Sequence, residues 1–175
     1  MTYLDSITLI RTIPCLAEPG KIIVVGKPSR TLEEVLPYLA TLPGVLAWNP
    51  RAIALTFRRQ PGFLTIQRDQ IFFIQVKDVE EGLSLLGSLK DAINAVWEKR
   101  DDLVAVTNFK RAPSHLDIWE LLPRTNCGHC GEATCLTFAV ALIQQKRTLE
   151  ECIAIHSDTD YADRRAALLA LMPAL

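Results

Sequence analysis

The chain has 175 residues, of which 49% are hydrophobic, and 19 basic against 20 acidic residues give a formal net charge of −1. This composition excludes an intrinsically disordered chain, and the balanced charge argues against a protein that recognises nucleic acid or anionic lipid through a charged surface. No apolar run approaches the roughly 18 residues of a membrane-spanning helix, and the first residues lack a secretion signal, so we expect a cytoplasmic protein with no nucleic-acid or membrane partner.

The first hundred residues predict a strand, a helix, a strand meander and a second helix. An extended edge segment over residues 3–17 precedes a short β-branched run at 21–25, which has the length and composition of a central strand. Thr31 and Glu34 have the spacing of a capping box, which predicts a helix that ends near Pro43. Its buried face would carry Leu32, Val35, Leu36 and Leu39.

Over residues 45–76 the hydrophobic pattern changes from a helical to a two-residue period, which predicts an antiparallel meander of three or four strands. The last strand of this meander is expected to turn Phe72, Ile74 and Val76 toward the core. Asp78, with Glu81 three residues later, then caps a long amphipathic helix. A further short strand is expected at 103–106.

These elements predict an α+β fold: an antiparallel sheet with both helices on one face, forming a two-layer sandwich over residues 1–110. A charged linker at 101–114 leads into a small, mainly helical domain over residues 111–175. The element order of residues 20–100 resembles one half of the TATA-box-binding-protein fold. Because this part of the chain is nearly neutral and fold does not fix function, the resemblance carries no expectation of DNA binding.

The sheet face opposite the helices is a candidate docking surface. In the predicted arrangement it exposes Phe63, Ile71 and Phe73 among polar neighbours. An open, partly apolar face of this kind suits a partner protein, the cysteine-containing domain or a second copy of the chain in a homodimer, and burial by the N-terminal segment or a linker is the alternative.

Four of the five cysteines lie within 26 residues, at Cys127, Cys130, Cys135 and Cys152, with the spacing C-x2-C-x4-C-x16-C. In a reducing compartment such a cluster favours metal ligands over disulfides. A compact loop with a remote fourth cysteine is typical of iron–sulfur proteins, although the spacing leaves zinc and free thiols open. Cys15 is isolated and is expected to be a small buried side chain.

Local patterns around these cysteines fit a loop that surrounds a metal centre. Gly128 and Gly131 each follow a cysteine and permit left-handed backbone. Ser114 is expected to cap a short helix over residues 115–122, and another helix begins at Cys135. A capping box from Thr148 to Glu151 predicts a helical turn that presents Cys152 to the loop.

Residues 116–139 contain the runs Leu-Pro-x-Thr-Asn-Cys-Gly-x-Cys-Gly and Thr-Cys-x-x-Phe-Ala. Over residues 114–153 the chain thereby resembles the four-cysteine [4Fe-4S] module of the corrinoid iron–sulfur protein large subunit. The resemblance implies one [4Fe-4S] cluster whose irons are ligated by Cys127, Cys130, Cys135 and Cys152. Two features depart from the family: Ile153 replaces the proline that commonly follows the fourth cysteine, and we expect the protein to lack the corrinoid-binding barrel of that subunit.

The resemblance implies a protein of anaerobic corrinoid or one-carbon metabolism that transfers single electrons to a redox or corrinoid protein partner, or assists it. The alternative is a regulatory or interaction module with a structural or sensory metal site. No acid–base constellation supports an enzyme, which leaves enzymatic activity uncertain and less expected. Among residues near the loop, His129 is expected to face solvent. Arg124, Lys146 and Arg147 either offset the negative charge of the thiolates or form a solvated face.

Overall fold

The structure is a computed structural model that describes residues 2–171. The chain divides into two compact units, Met1–Arg111 and Ala112–Leu175. The first unit combines an antiparallel sheet with helices and the second is helical, which confirms the predicted α+β class. None of the helices within the described range has the length and apolar character needed to cross a membrane.

The sheet of the first unit contains seven strands within the described residues, all paired antiparallel, in the order β1-β2-β6-β5-β4-β3-β7. The strands are β1 Ile7–Pro14, β2 Ile22–Pro28, β3 Val45–Asn49, β4 Ala54–Arg58, β5 Phe63–Gln67, β6 Ile71–Val76 and β7 Lys110–Arg111. The helices of this unit are α1 Leu36–Leu39 and α2 Val79–Glu98. The predicted edge strand and meander are therefore present as β1 and as β3 to β6.

Helix α2 forms as its sequence predicts. The Asp78 carboxylate accepts the backbone N–H of Glu81 at 2.9 Å, and this charge-assisted bond holds the pKa of Asp78 below its usual value. Leu86, Leu89 and Ile93 of the helix are buried in one core with Val24, Leu55, Ile66 and other sheet residues. Near its other end, the side-chain oxygen of Asn94 accepts the backbone N–H groups of Tyr3 and Leu4, at 3.0 and 2.8 Å, and so fixes the start of the chain.

Helix α1 is much shorter than predicted, and Val35, its N-cap residue, makes no side-chain capping bond. The predicted capping box at Thr31 and Glu34 is therefore wrong, although the predicted apolar residues of this segment are all buried. Pro37 lies in the first turn of α1, where its missing N–H is tolerated, and residues 33–35 and 40–41 on either side of the helix form turns. The backbone N–H of Leu32 instead donates to the carbonyl of Arg68 at 2.8 Å.

Strand β6 faces the core differently from the prediction. Ile71 and Phe73 are 0% and 4% exposed and belong to the core, so they cannot contribute to an open docking face. Gln75 has a left-handed φ of 62°, which interrupts the alternation and lets Val76 also face inward. Phe63, at 46% exposed, is the residue of the predicted surface that remains accessible. The predicted strand at 103–106 is also wrong, since these residues join no ladder.

Two glycines of α2 differ in what a side chain would meet. A Cβ at Gly82 would lie 2.6 Å from the Cγ2 methyl of Val24, whereas a Cβ at Gly87 would have nothing within 4 Å. We expect Gly82→Ala to destabilise the chain by about 1–3 kcal/mol through overpacking. Gly87→Ala should stabilise it by about 0.5–1 kcal/mol because alanine loses less backbone entropy in a helix. Urea denaturation of both variants tests this, and a loss of stability in Gly87→Ala would contradict it.

The second unit is built from short helices joined by turns. Its helices are α3 His115–Leu121, α4 Cys135–Ile143, α5 Ile153–Ser157 and α6 Ala162–Leu171, with 3-10 turns at Leu149–Glu151 and Thr159–Tyr161. The predicted Ser114 cap is confirmed, because its hydroxyl accepts the N–H of Asp117. Phe138, Leu149, Ile155 and Leu168 are buried in one core. The sequence also predicts a terminal helix over residues 161–172 that packs through Leu168, Leu169 and Met172. Leu168 is buried, Leu169 is 50% exposed, and Met172 lies outside the described residues.

Candidate metal centre

The loop between α3 and α4 turns repeatedly. Arg124, Asn126, Gly128 and Gly131 all have left-handed backbone, with φ of 60°, 50°, 73° and 85°. Asparagine and glycine enter this conformation readily, so the run before and after the first cysteine is locally suited to it. Left-handed residues at intervals along a loop direct backbone N–H groups toward one concave side. Such concavities bind anions and occur at many iron–sulfur sites.

Helix α4 fixes the third cysteine. Cys135 is its first residue, and the Thr134 hydroxyl caps the helix by accepting the N–H of Thr137 at 3.1 Å. The side-chain oxygen of Asn126 accepts the backbone N–H of Cys135 at 2.9 Å. Asn126 therefore ties the residue before the first cysteine to the start of the helix. Sequence reasoning missed this role: an asparagine before a Cys-Gly pair favours left-handed backbone, but no local signal identifies a bond to a residue nine positions away.

The 3-10 turn at Leu149–Glu151 fixes the fourth cysteine, as predicted. The backbone N–H of Thr148 donates to the Glu151 carboxylate at 2.9 Å, and the N–H of Cys152 donates to the carbonyl of Leu149 at 3.0 Å. Leu149 and Ile155 on either side are buried in the core of the second unit. The turn is thus anchored by apolar burial, and Cys152 leaves it at a defined position.

Cys127, Cys130, Cys135 and Cys152 line one pocket together with Pro123, Phe138 and Ile153. Cys127 is exposed, Cys130 is half-buried, and Cys135 and Cys152 are buried at 8% and 6% exposure. The pocket thus has a buried floor and an accessible side at Cys127. Four sulfur donors around one space fit an iron–sulfur cluster or zinc by ligand chemistry. Within residues 2–171 no three His, Cys, Asp or Glu side chains already form a group that would hold a single metal ion, so ligation by these cysteines stays a prediction.

The thiols at the two ends of this pocket differ electrostatically. The backbone N–H of His129, together with the Thr125 hydroxyl, stabilises the thiolate of Cys127 and lowers its pKa. Burial raises the pKa of the Cys152 thiol, and the neighbouring sulfurs of Cys130, Cys135 and Cys127 raise it further because like charges repel.

This difference predicts the order in which the thiols react in the metal-free protein. Cys127 combines exposure with a lowered pKa, so iodoacetamide should modify it at least about 10-fold faster than Cys152 near neutral pH. Raising the pH should narrow the ratio, because the Cys127 thiolate forms first and Cys152 ionises only at higher pH. Peptide mapping by mass spectrometry after timed labelling measures both rates. Equal labelling of Cys127 and Cys152 at neutral pH would contradict the arrangement.

The remaining predicted residues fall into separate roles. Cys15 is buried at 5% exposure in the first unit, as predicted. His129 is exposed, also as predicted. The Arg124 guanidinium lies 5.3 Å from the centre of the Trp119 ring, and Lys146 is exposed. Arg147 pairs with two glutamates, Glu132 at 3.1 Å and Glu151 at 3.2 Å, which sequence reasoning did not foresee.

Comparison with known proteins agrees with this site. Residues 122–154 match the model of a family described as "Putative Fe-S cluster", which confirms the predicted resemblance of this segment to an iron–sulfur domain. The same region is similar to the gamma subunit of the acetyl-CoA decarbonylase/synthase complex from several organisms. Identity is 46% over 43 residues with the protein of Methanothermobacter thermautotrophicus, covering 25% of this chain and 9% of that protein.

Two further relatives are gamma subunits of the same complex. The protein of Methanosarcina acetivorans is 39% identical over 59 residues, covering 34% of this chain and 13% of that protein. The protein of Methanocaldococcus jannaschii is 30% identical over 60 residues, covering 34% of this chain and 12% of that protein. The chain thus spans only about a tenth of the length of the relatives that it matches. No solved structure matches the chain significantly, so the likeness of the first unit to half of the TATA-box-binding protein stays a prediction.

Proposed function

We propose that the second unit binds one [4Fe-4S] cluster through Cys127, Cys130, Cys135 and Cys152. The observation that carries this proposal is the convergence of the four cysteines on one pocket within the segment that matches an iron–sulfur family. The donor set supports it further, because four thiolates are the usual ligands of a cubane cluster. When bound, the cluster would supply reversible one-electron chemistry.

The protein residues would bind and partly shield the cluster. Phe138 and Pro123, which are buried, limit water at the floor of the pocket, while Cys127 and His129 are exposed at its accessible side. The loop's left-handed residues would direct backbone N–H groups toward sulfur and stabilise its negative charge. An electron would therefore enter or leave most easily on the side of Cys127, where a partner can approach.

We infer that the partner is a redox or corrinoid protein of anaerobic one-carbon metabolism, in the cytoplasm, and that this chain transfers electrons to it or assists it without catalysing a reaction itself. This inference rests on the gamma subunits of the acetyl-CoA decarbonylase/synthase complex that share the segment. The short overlap with these relatives confines it to the cluster domain, which we place at residues 111–175. Because the cluster is assigned to that domain, we assign recognition of the partner to the domain at residues 1–110.

Anaerobic purification followed by analysis of iron, acid-labile sulfide and zinc tests the cofactor. About four irons and four sulfides per chain are expected, and dithionite should produce the EPR signal of a reduced cubane. Stoichiometric zinc without sulfide would overturn the iron–sulfur proposal and favour a zinc module. A cluster that resists reduction would overturn electron transfer and favour the alternative, a regulatory or interaction module with a structural cluster.

A further inference from the structure

Arg147 connects the two segments that carry the candidate ligands. Its Nε donates to the Glu132 carboxylate at 3.1 Å and its Nη1 donates to the Glu151 carboxylate at 3.2 Å. Glu132 lies two residues after Cys130, and Glu151 directly precedes Cys152. One guanidinium therefore joins the cysteine loop to the turn that presents the fourth cysteine.

The cysteine loop leaves room for this guanidinium. A Cβ at Gly131 would lie 2.8 Å from Nη2 and 3.4 Å from Cζ of Arg147, so the guanidinium packs directly against the backbone between Cys130 and Glu132. Gly131 also has a φ of 85°, which favours glycine on its own. Two independent requirements, the backbone angle and the space for Arg147, thus coincide at this glycine.

The other end of the connection is equally defined. The second oxygen of the Glu151 carboxylate accepts the backbone N–H of Thr148 at 2.9 Å, which holds Glu151 on the 3-10 turn. Hydrogen bonds to Glu132, and then to Glu151, raise the pKa of Arg147. With a carboxylate on each side, the positive charge of Arg147 is more than offset, and Arg147 is not among the residues that line the cysteine pocket.

We propose that Arg147 is a positioning residue that sets the separation between Cys130 and Cys152 and so determines how firmly the cluster is held. This rests on the proposed iron–sulfur function and assigns a role that acts through the ligands and not on the cluster itself. Ion pairs as exposed as these, with side chains 31%, 26% and 39% exposed, contribute little to folding. Substituting a residue that holds a metal ligand in place typically weakens metal binding by about 10–100-fold.

The test compares Arg147→Ala and Arg147→Lys with Lys146→Ala in the full chain, after anaerobic reconstitution. Lys146 is the matched control, a neighbouring exposed cation. Iron release to a chelator, measured as the decay of visible absorbance, should be at least about 10-fold faster in Arg147→Ala than in the wild type. Arg147→Lys should also release iron faster because a lysine cannot bond two carboxylates with a rigid fork. Lys146→Ala should stay within about 2-fold of the wild type.

Two further measurements separate positioning from charge tuning and from general destabilisation. The midpoint potential of the cluster in Arg147→Lys, which keeps the positive charge, should equal the wild-type value, and metal-free Arg147→Ala should melt at the same temperature as metal-free Lys146→Ala. A shifted potential with unchanged iron release would overturn positioning in favour of electrostatic tuning. If metal-free Arg147→Ala melts at a lower temperature than metal-free Lys146→Ala, in proportion to its faster iron release, the result would overturn positioning and favour a role of Arg147 in folding.

The cluster content of the wild-type chain separates a failure of the positioning role from a failure of the proposed iron–sulfur function. A wild-type chain without a cluster would overturn the proposed function and the role of Arg147 together. A wild-type chain that holds the cluster, with Arg147 variants that release iron at the wild-type rate, would overturn the positioning role alone.

Discussion

Cys130→Ala is expected to abolish the visible absorbance of the reconstituted protein. Cys130 is the half-buried member of the four and lines the same pocket as the exposed Cys127 and the two buried cysteines. Loss of its thiolate would leave the proposed cluster with three of its four protein ligands. Because cluster assembly needs the complete set of anchoring thiolates, we expect occupancy to fall by at least about 10-fold. Iron and sulfide analysis beside the absorbance spectrum measures it.

Cys15→Ala is the matched control for this experiment. Cys15 is buried in the first unit, and its backbone N–H, which the substitution retains, donates to the carbonyl of Lys21 at 2.9 Å. Removing the sulfur should cost about 1 kcal/mol of stability through lost packing, while the cluster content stays at the wild-type level. A bleached Cys15→Ala protein would show that the assigned ligand set is wrong, as would a Cys130→Ala protein with full cluster content.

The sequence predicted those parts of the fold in which one local signal dominates. Helix α2 has a capping aspartate and a long amphipathic pattern, and both act within the helix itself. Strand β6 lacked such a signal because Ile71, Phe72, Phe73 and Ile74 are all apolar, so alternation does not identify the buried face. A register shift between β2 and β6 at Gln75 then changes which side chains face the core. Only the pairing with the neighbouring strand determines where this shift falls.

The candidate site shows the same division. Cysteine spacing, the two glycines and the capping box from Thr148 to Glu151 are local signals, and from them the sequence indicated the loop, the helix start at Cys135 and the turn before Cys152. The connection through Arg147 depends on Glu132, which is fifteen residues away along the chain. With 19 basic and 20 acidic residues, the sequence offers many alternative ion pairs. Only the folded path of the loop, with Gly131 beside the guanidinium, selects this one.

Gly62→Ala is expected to destabilise the protein more than any other glycine substitution considered above. Gly62 precedes β5 with a φ of 88°, and a Cβ there would collide with the backbone carbonyl of Ile74. The same loop is fixed by Arg59, whose backbone N–H donates to the Gly62 carbonyl at 3.1 Å and whose guanidinium donates to the Pro61 carbonyl at 2.8 Å. Since neither backbone segment can move independently, we expect a loss of more than about 3 kcal/mol.

Gly20→Ala separates the two causes of this loss. Gly20 has nearly the same backbone angle, with φ of 87°, but a Cβ at that position would have nothing within 4 Å. Its substitution should therefore cost only the strain of the left-handed backbone, about 1–2 kcal/mol. Urea denaturation followed by circular dichroism gives both values under identical conditions. Equal losses at the two positions would mean that backbone angle alone accounts for the effect at Gly62, and that the carbonyl of Ile74 yields to the new methyl group.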